Sequence, residues 1–372
     1  MNETKKNFYS NVIPSVLSFV LIGVYCFIDE FFVGNRVGDV GIATINIAFS
    51  YIALFGAVGT GIGIGASVPF TISRAEGKEK EAFGYLGGAN WLMLLAGGAI
   101  GLPILLLPRT ILLLLGASTT ISEMGIPYMQ YSALGSVFMV FASGLAPVVR
   151  NNNGAKFAFF ANFLGILLNI VLDWLFVWIY GWGLGGAAAA SALGQVVSSL
   201  LLVGFLVRCH AFTFSLGPLH WGSLIRRVVG IGISPFGLTM APNLSIVFMN
   251  RACLSYGGDS ALAAYGVISY LTYIVMLVMQ GVGDGSQPLV SLYFGEGDEE
   301  KRRLVEKMAY ITCLVVAFLS MAFTWTTRSY MGLFMGTSKE TGLVIAKALP
   351  IFMLAFPFSA FSRIKASNLY SK

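Results

Sequence analysis

The sequence predicts an all-α membrane protein, a polytopic helical bundle of about ten transmembrane helices arranged as two repeated halves. Three observations predict it. Hydrophobic residues make up 56% of the 372 positions and charged residues only 11%, whereas a soluble domain carries roughly a quarter charged residues, so most of this chain needs a solvent other than water. Apolar runs recur at about 20 residues, the length that crosses a hydrocarbon core about 30 Å thick. The third observation is an internal repeat. Gly61, Gly63, Gly65, Glu76 and Gly77 recur 220 residues later as Gly281, Gly283, Gly285, Glu296 and Gly297, and Pro14 is answered, one residue out of step, by Pro235. Repetition on that scale reports duplication of a whole structural half.

Apolar runs between charged or Gly/Pro-rich breaks place helices near 12–35, 42–72, 84–107, 122–149, 156–180, 185–207, 227–254, 261–293, 304–326 and 342–368. Helix is forced there, because an unpaired amide in lipid costs several kcal/mol. Orientation follows from the loops. The amino-terminal tail, every second loop and the carboxyl tail hold 17 of the 23 Lys and Arg, which predicts both ends on the cytoplasmic side of a cytoplasmic (inner) membrane. The domains expected are an amino-terminal six-helix lobe (1–207), a cytoplasmic linker (208–226) carrying His210 and His220, and a carboxyl-terminal lobe (227–372). Six helices precede the linker and four follow it, so a full repeat predicts about two further helices and a truncated second lobe.

Several classes drop out. Net charge is +6, but no Lys/Arg run is interleaved with stacking aromatics, so nucleic acid is not the expected partner. The four cysteines have no ligand-like spacing. No signal-peptide cleavage pattern follows the first apolar run, which reads as a retained helix. Gly-x-Ser-x-Gly, His-Glu-x-x-His and Walker-type motifs are absent from the sequence, so the chain does not read as an enzyme or an ATP-driven pump, and energy is expected from an ion gradient. Gly61 to Ala66 loosely fits a dinucleotide fingerprint, but it lies inside an apolar helix with no strand before it. No cofactor is expected.

Intramembrane acids are costly enough that each is a functional candidate. Asp29 and Asp173 both fall about 10 Å inside the outer ends of predicted helices one and five, at 1.5 Å per residue. Polar residues precede each at helical spacing: Ser18 and Tyr25 on the first, Asn162 and Asn169 on the second. Ser191, early in predicted helix six, falls at similar depth. Two carboxylates in a low-dielectric cavity repel, and a proton, a sodium ion or a cationic substrate relieves the penalty. The bland alternative is that these groups merely cap or join neighbouring helices. A second polar stripe, Gln280, Asp284, Gln287 and Ser291, lies on predicted helix eight, with Asn250 on helix seven. Pro14 and Pro235 should bend helices one and seven. Phe138, Met139, Phe141, Phe248, Met249, Met276 and Met279 suit either a promiscuous cavity wall or ordinary core.

Several of these runs together resemble the multidrug and toxic compound extrusion (MATE) family. They are Arg150 to Gly154, Asn169 to Asp173, Gly185 to Ser191, Pro14 with Asp29 to Gly34, and Asn250 through Tyr256-Gly257 to Gly285-Ser286-Gln287-Pro288. The likeness covers nearly the whole chain and is nearest to the prokaryotic DinF-like branch. It implies twelve helices in two lobes related by a pseudo-two-fold, alternating access, and export of cationic amphiphiles in exchange for H⁺ or Na⁺. It also implies that Asp29 and Asp173 carry the coupling ion, with Asn169 beside them and Ser191 where relatives often have threonine. No acid follows Pro235 on helix seven, which favours coupling in the amino-terminal lobe, while Asp284 leaves a second-lobe ion site open. The expected partners are a small cationic substrate and the bilayer, with the protein a monomer. The alternatives are a lipid-linked precursor flippase of the same superfamily or a non-transporting fragment.

Overall fold

The computed structural model describes residues 2–37, 39–115, 117, 119–334 and 339–372. Its described residues are helical with short connections. In chain order the helices are α1 (Asn2–Val37), α2 (Asp39–Ala75), α3 (Glu79–Leu106), α4 (Pro108–Leu114), α5 (Thr119–Leu134), α6 (Ser136–Asn151), α7 (Ala155–Asp173), α8 (Gly183–Arg208), α9 (Trp221–Gly295), α10 (Glu299–Phe334), α11 (Lys339–Met353) and α12 (Ala355–Tyr370). Among the described residues eight helical stretches are long and apolar enough to cross a membrane, and two bent pairs bring the number to ten. Apolar side chains such as Leu95, Leu114, Ile233, Phe323 and Phe358 face outward, which suits a lipid surround and not water.

Four predicted elements differ from the observed ones. Predicted helix four is broken at Gly135, where α5 and α6 meet at 54°. A Cβ at Gly135 would lie 2.7 Å from the Ala192 methyl of α8, so the break brings backbone close to a neighbour only glycine admits. Predicted helix ten is broken at Leu354 by 41° between α11 and α12. Pro350 and Pro357 flank that point and withdraw two backbone donors. Predicted helix five leaves α geometry at its end and finishes as a π-helix, Trp174–Ile179. There the Phe176 ring stacks on Trp182 at 4.8 Å, and Gly181 and Gly183, both at positive φ, turn the chain into α8. The gap expected between predicted helices seven and eight is helical, α9 running without interruption through Gly257 and Gly258. Two glycines cost a helix only about 1 kcal/mol each, and the apolar spans on either side outweigh that. α1 is helical through Pro14 and α9 through Pro235, so neither proline interrupts its helix.

Contacts group the chain into two compact units. One holds residues 21–237 with 291–297, and the other holds 1–20, 238–290 and 298–372. Relative to the lobes expected from sequence, the first turns of α1 join the second-half unit and the first turns of α9 join the first-half unit. The repeated glycines are the reason. In the first-half unit a Cβ at Gly65 would meet the Val228 carbonyl of α9 at 2.2 Å. In the second-half unit, Cβ atoms at the twins Gly281 and Gly285 would meet the Cα atoms of Val16 and Val12 of α1 at 2.6 and 2.7 Å. Small residues let helix backbones touch where lipid offers no hydrophobic drive to associate.

The linker is packed. Its residues 211–216 lie along α3, where Asn90 Nδ2 donates to the Thr213 carbonyl at 2.7 Å and Trp91 Nε1 donates to the Phe214 carbonyl at 3.1 Å. Cβ atoms at Gly84 and Gly87 would strike the carbonyls of Leu216 and Ser215, and a cavity of about 390 Å³ lined by Lys80, Phe83, Thr213 and Pro218 remains beside this contact. Replacing the buried Asn90 by Leu leaves the Thr213 carbonyl without its donor. A loss of about 1–3 kcal/mol is expected, read as a lower melting temperature and faster protease cleavage between Arg208 and Trp221.

Candidate functional site

The site is assembled by α7 and α8 in the first-half unit. α7 buries Ala161, Gly165, Asn169 and Asp173, one residue per turn on a single face, with Asn162 half-buried beside it. α8 approaches that face because both helices carry glycine at the crossing. A Cβ on Gly194 would lie 2.7 Å from the Gly165 carbonyl, and one on Gly165 would lie 1.9 Å from Ser198 Oγ. The crossing lies one turn from Asn169 and sets it against Ser191 of α8.

Asn169 Nδ2 donates to Ser191 Oγ at 3.2 Å. Ser191 Oγ is also 2.9 Å from the Tyr25 hydroxyl of α1. Asp29, one turn further along α1 from Tyr25, is an electrostatic neighbour of Asp173. Exposure is 8% for Asp29, 3% for Asn169 and 0% for Asp173. Asp29, Asp173 and Ser191, which the sequence placed at similar depth, thus lie in one polar cluster with Tyr25 and Asn169 of the same stripes, the acids and Asn169 buried and Tyr25 and Ser191 half-buried.

The donors of the cluster do not meet its buried acceptors. Among the described residues neither carboxylate oxygen of Asp173 meets a hydrogen-bond donor in good geometry, although Asn169 is its neighbour, and Asn169 Oδ1 has no partner either. Burying a polar group unpaired costs free energy, and a buried charge costs far more. Asp29 increases the cost at Asp173, since two carboxylates in one low-dielectric site repel. The Asp173 carboxylate and Asn169 Oδ1, buried with these acceptor positions open, accommodate a proton or a hard cation, which prefers oxygen ligands. Among the described residues no group of three or more His, Cys, Asp or Glu is gathered as a metal site.

The second-half stripe is divided. Asp284, Gln287 and Ser291 are buried along α9, whereas Gln280 is half-buried and accepts from Arg363 Nη2 of α12 at 3.2 Å. The side chain of Asn250 lies outside the described residues. Arg363 was missed by sequence reasoning, which counted it among the tail cations. Its signal was present in the period of α12: Phe356, Ala360, Ile364 and Ser367 are buried, and Arg363 adjoins that face. The Met and aromatic candidates are scattered, with Phe141 and Met279 buried and Phe138 and Phe248 exposed.

Comparison with known proteins agrees with the helical plan. The MatE family profile matches residues 14–175 and 235–369, which is most of the chain. The multidrug export protein MepA of Staphylococcus saprophyticus is 23% identical over 341 residues, spanning 89% of this chain and 74% of that protein. An FAD transporter of Shewanella oneidensis is 21% identical over 324 residues, spanning 84% of this chain and 70% of its own. The solved outward-facing structure of a multidrug resistance MATE transporter of the MOP superfamily superposes with a TM-score of 0.91 at 20% identity, covering 99% of this chain and 82% of that one.

Proposed function

The chain belongs to the MatE family of multidrug and toxic compound extrusion transporters, and on that premise we propose that it is a cation-coupled antiporter that exports cationic amphiphiles by alternating access. It lies in the cytoplasmic membrane as a monomer with its amino terminus in the cytoplasm. The coupling ion is H⁺ or Na⁺, taken at Asp173 with Asp29, Asn169 and Ser191 around it. The observation that carries this reading is the donor-poor group of buried oxygens on α7, beside a second acid, inside an apolar span. Such a site is stable only when a cation or proton is supplied. A cationic substrate competing for the same charge gives exchange without any further machinery. The cationic cargo rests on these acids and not on the relatives, whose names differ between drugs and FAD.

The test is efflux of a fluorescent cationic dye from inverted vesicles under separately imposed H⁺ and Na⁺ gradients. Transport driven by one of them names the ion, and transport driven by neither sinks the reading. Ser191 refines it, because its hydroxyl holds Asn169 and Tyr25 together. Ser191→Ala leaves the Asn169 amide without its acceptor at a cost of about 1–3 kcal/mol, so gradient-driven efflux is expected to fall roughly tenfold. Ser191→Thr keeps the hydroxyl and should retain activity.

A further inference from the structure

Arg363 lies in α12, within the apolar span formed by Thr341–Met353 and Ala355–Tyr370. Arginine in such a span is retained against a large insertion penalty, and its direction then carries information. A long basic side chain near a helix end ordinarily reaches out to the headgroups. Arg363 does the opposite. Its Nη2 donates to Gln280 Oε1 of α9, whereas Lys365 two residues later is exposed.

The guanidinium has five N–H donors in a planar fork, and Gln280 takes one. Among the described residues no carboxylate lies within ion-pair distance of Arg363. Asp284, one turn from Gln280 on α9, does not reach it. The other polar neighbour is the thiol of Cys313 on α10, which is itself turned to the Met279 carbonyl at 3.9 Å. Three helices of the second-half unit, α9, α10 and α12, therefore surround an inward-facing cation that has one neutral acceptor and remains half-exposed. A planar fork with free donors and an uncompensated charge matches a carboxylate or phosphate group, which it grips through two parallel hydrogen bonds.

We propose that Arg363, oriented by Gln280, is an oxyanion-binding residue that recognises the carboxylate or phosphate group of an organic anion or of an anionic lipid. This site is separate from the acids of α1 and α7. It enlarges the ligands of the protein to molecules carrying negative charge.

The experiment measures binding, so its failure leaves the cation-export reading standing. The full chain is placed in nanodiscs of phosphatidylcholine and titrated with benzoate and with phenyl phosphate. In a second arm, nanodiscs containing phosphatidylglycerol are compared by native mass spectrometry for retained lipid. Saturable binding of the soluble anions identifies a cargo-type ligand, whereas retained phosphatidylglycerol alone identifies a headgroup. Either result, lost on Arg363→Gln and kept on Lys365→Gln, supports the proposal. Removing a charge-assisted fork is expected to weaken binding about tenfold or more, with Arg363→Lys in between.

Because Arg363→Gln removes a packed side chain, a second variant guards against misfolding. Gln280→Glu delivers a carboxylate directly to the guanidinium. It is expected to fold, melt at or above the wild-type temperature and lose oxyanion binding. Undiminished binding by Gln280→Glu, or no binding of any probe in either arm by the wild-type protein, overturns the assignment.

Discussion

Asp173→Asn is expected to cut gradient-driven dye efflux by roughly two orders of magnitude while leaving the protein folded and melting at or above the wild-type temperature. The two halves of that expectation have one cause. The Asp173 carboxylate is fully buried, meets no donor in good hydrogen-bond geometry and has Asn169 and Asp29 as neighbours. Asparagine keeps the shape and removes the charge, so nothing that held the fold is lost, and a buried-charge penalty disappears. Ion binding, by contrast, loses its principal ligand. Coupling energies between sites are commonly worth 5–150-fold, so efflux should fall by roughly two orders of magnitude. A variant that transports normally assigns coupling elsewhere. One that melts far below wild type means that Asp173 is a structural strut with a partner not yet recognised.

The largest stability effect is expected at Gly63. A Cβ there would lie 2.1 Å from the carbonyl oxygen of Gly144 and 2.7 Å from its Cα, with Gly59 equally tight against Ser143 and the Val140 carbonyl. The atoms facing Gly63 are all backbone of α6, which cannot swing aside as a side-chain tip can. Gly63→Val should therefore separate α2 from α6. Overpacking of this kind costs about 1–3 kcal/mol where neighbours yield, and more where they are backbone. Folded yield from detergent and melting temperature are the readouts. Two comparisons make the prediction sharp. Gly56 and Gly98 have nothing within 4 Å of an added Cβ, so alanine at either should be neutral or stabilising by up to about 1 kcal/mol. Gly283, the repeat twin of Gly63, would place its Cβ at an ordinary 3.5 Å from the Ser367 Cβ. Gly283→Ala should thus be mild where Gly63→Ala is severe. Equal effects at the twins would refute this packing account.

That contrast shows how far duplication can be read. The sequence marks 61, 63 and 65 and 281, 283 and 285 as equivalent, and the flanking pairs do behave alike, each admitting the opening turns of a distant helix. The middle pair does not. Sequence identity records a common origin, while the need for glycine depends on what later packed against each copy.

The grouping of the candidate polar residues was partly legible in the sequence. An acid in an apolar span is so costly that its position alone selects it, and depth along a helix is fixed by 1.5 Å per residue. Asp29, Asp173 and Ser191 could therefore be placed at one level before any contact was known, and Tyr25 and Asn169 on the same stripes one turn away. Arg363 could not, because a cation near a helix end reads as a topology signal. Whether it faces lipid or a neighbour is decided by the partner helix.

Composition and periodicity by themselves determined that this chain spans a membrane as helices, where the spans lie, and which buried charges demand an explanation. They could do so because transfer from water to lipid is a property of each segment taken alone. The breaks at Gly135 and Leu354, the π-helix after Asp173, the docking of residues 211–216 on α3, the assignment of the first turns of α1 and α9 to opposite units, and the inward turn of Arg363 were decided only by tertiary structure. Each depends on how closely two segments remote in sequence bring their backbones together, and no local pattern encodes that distance.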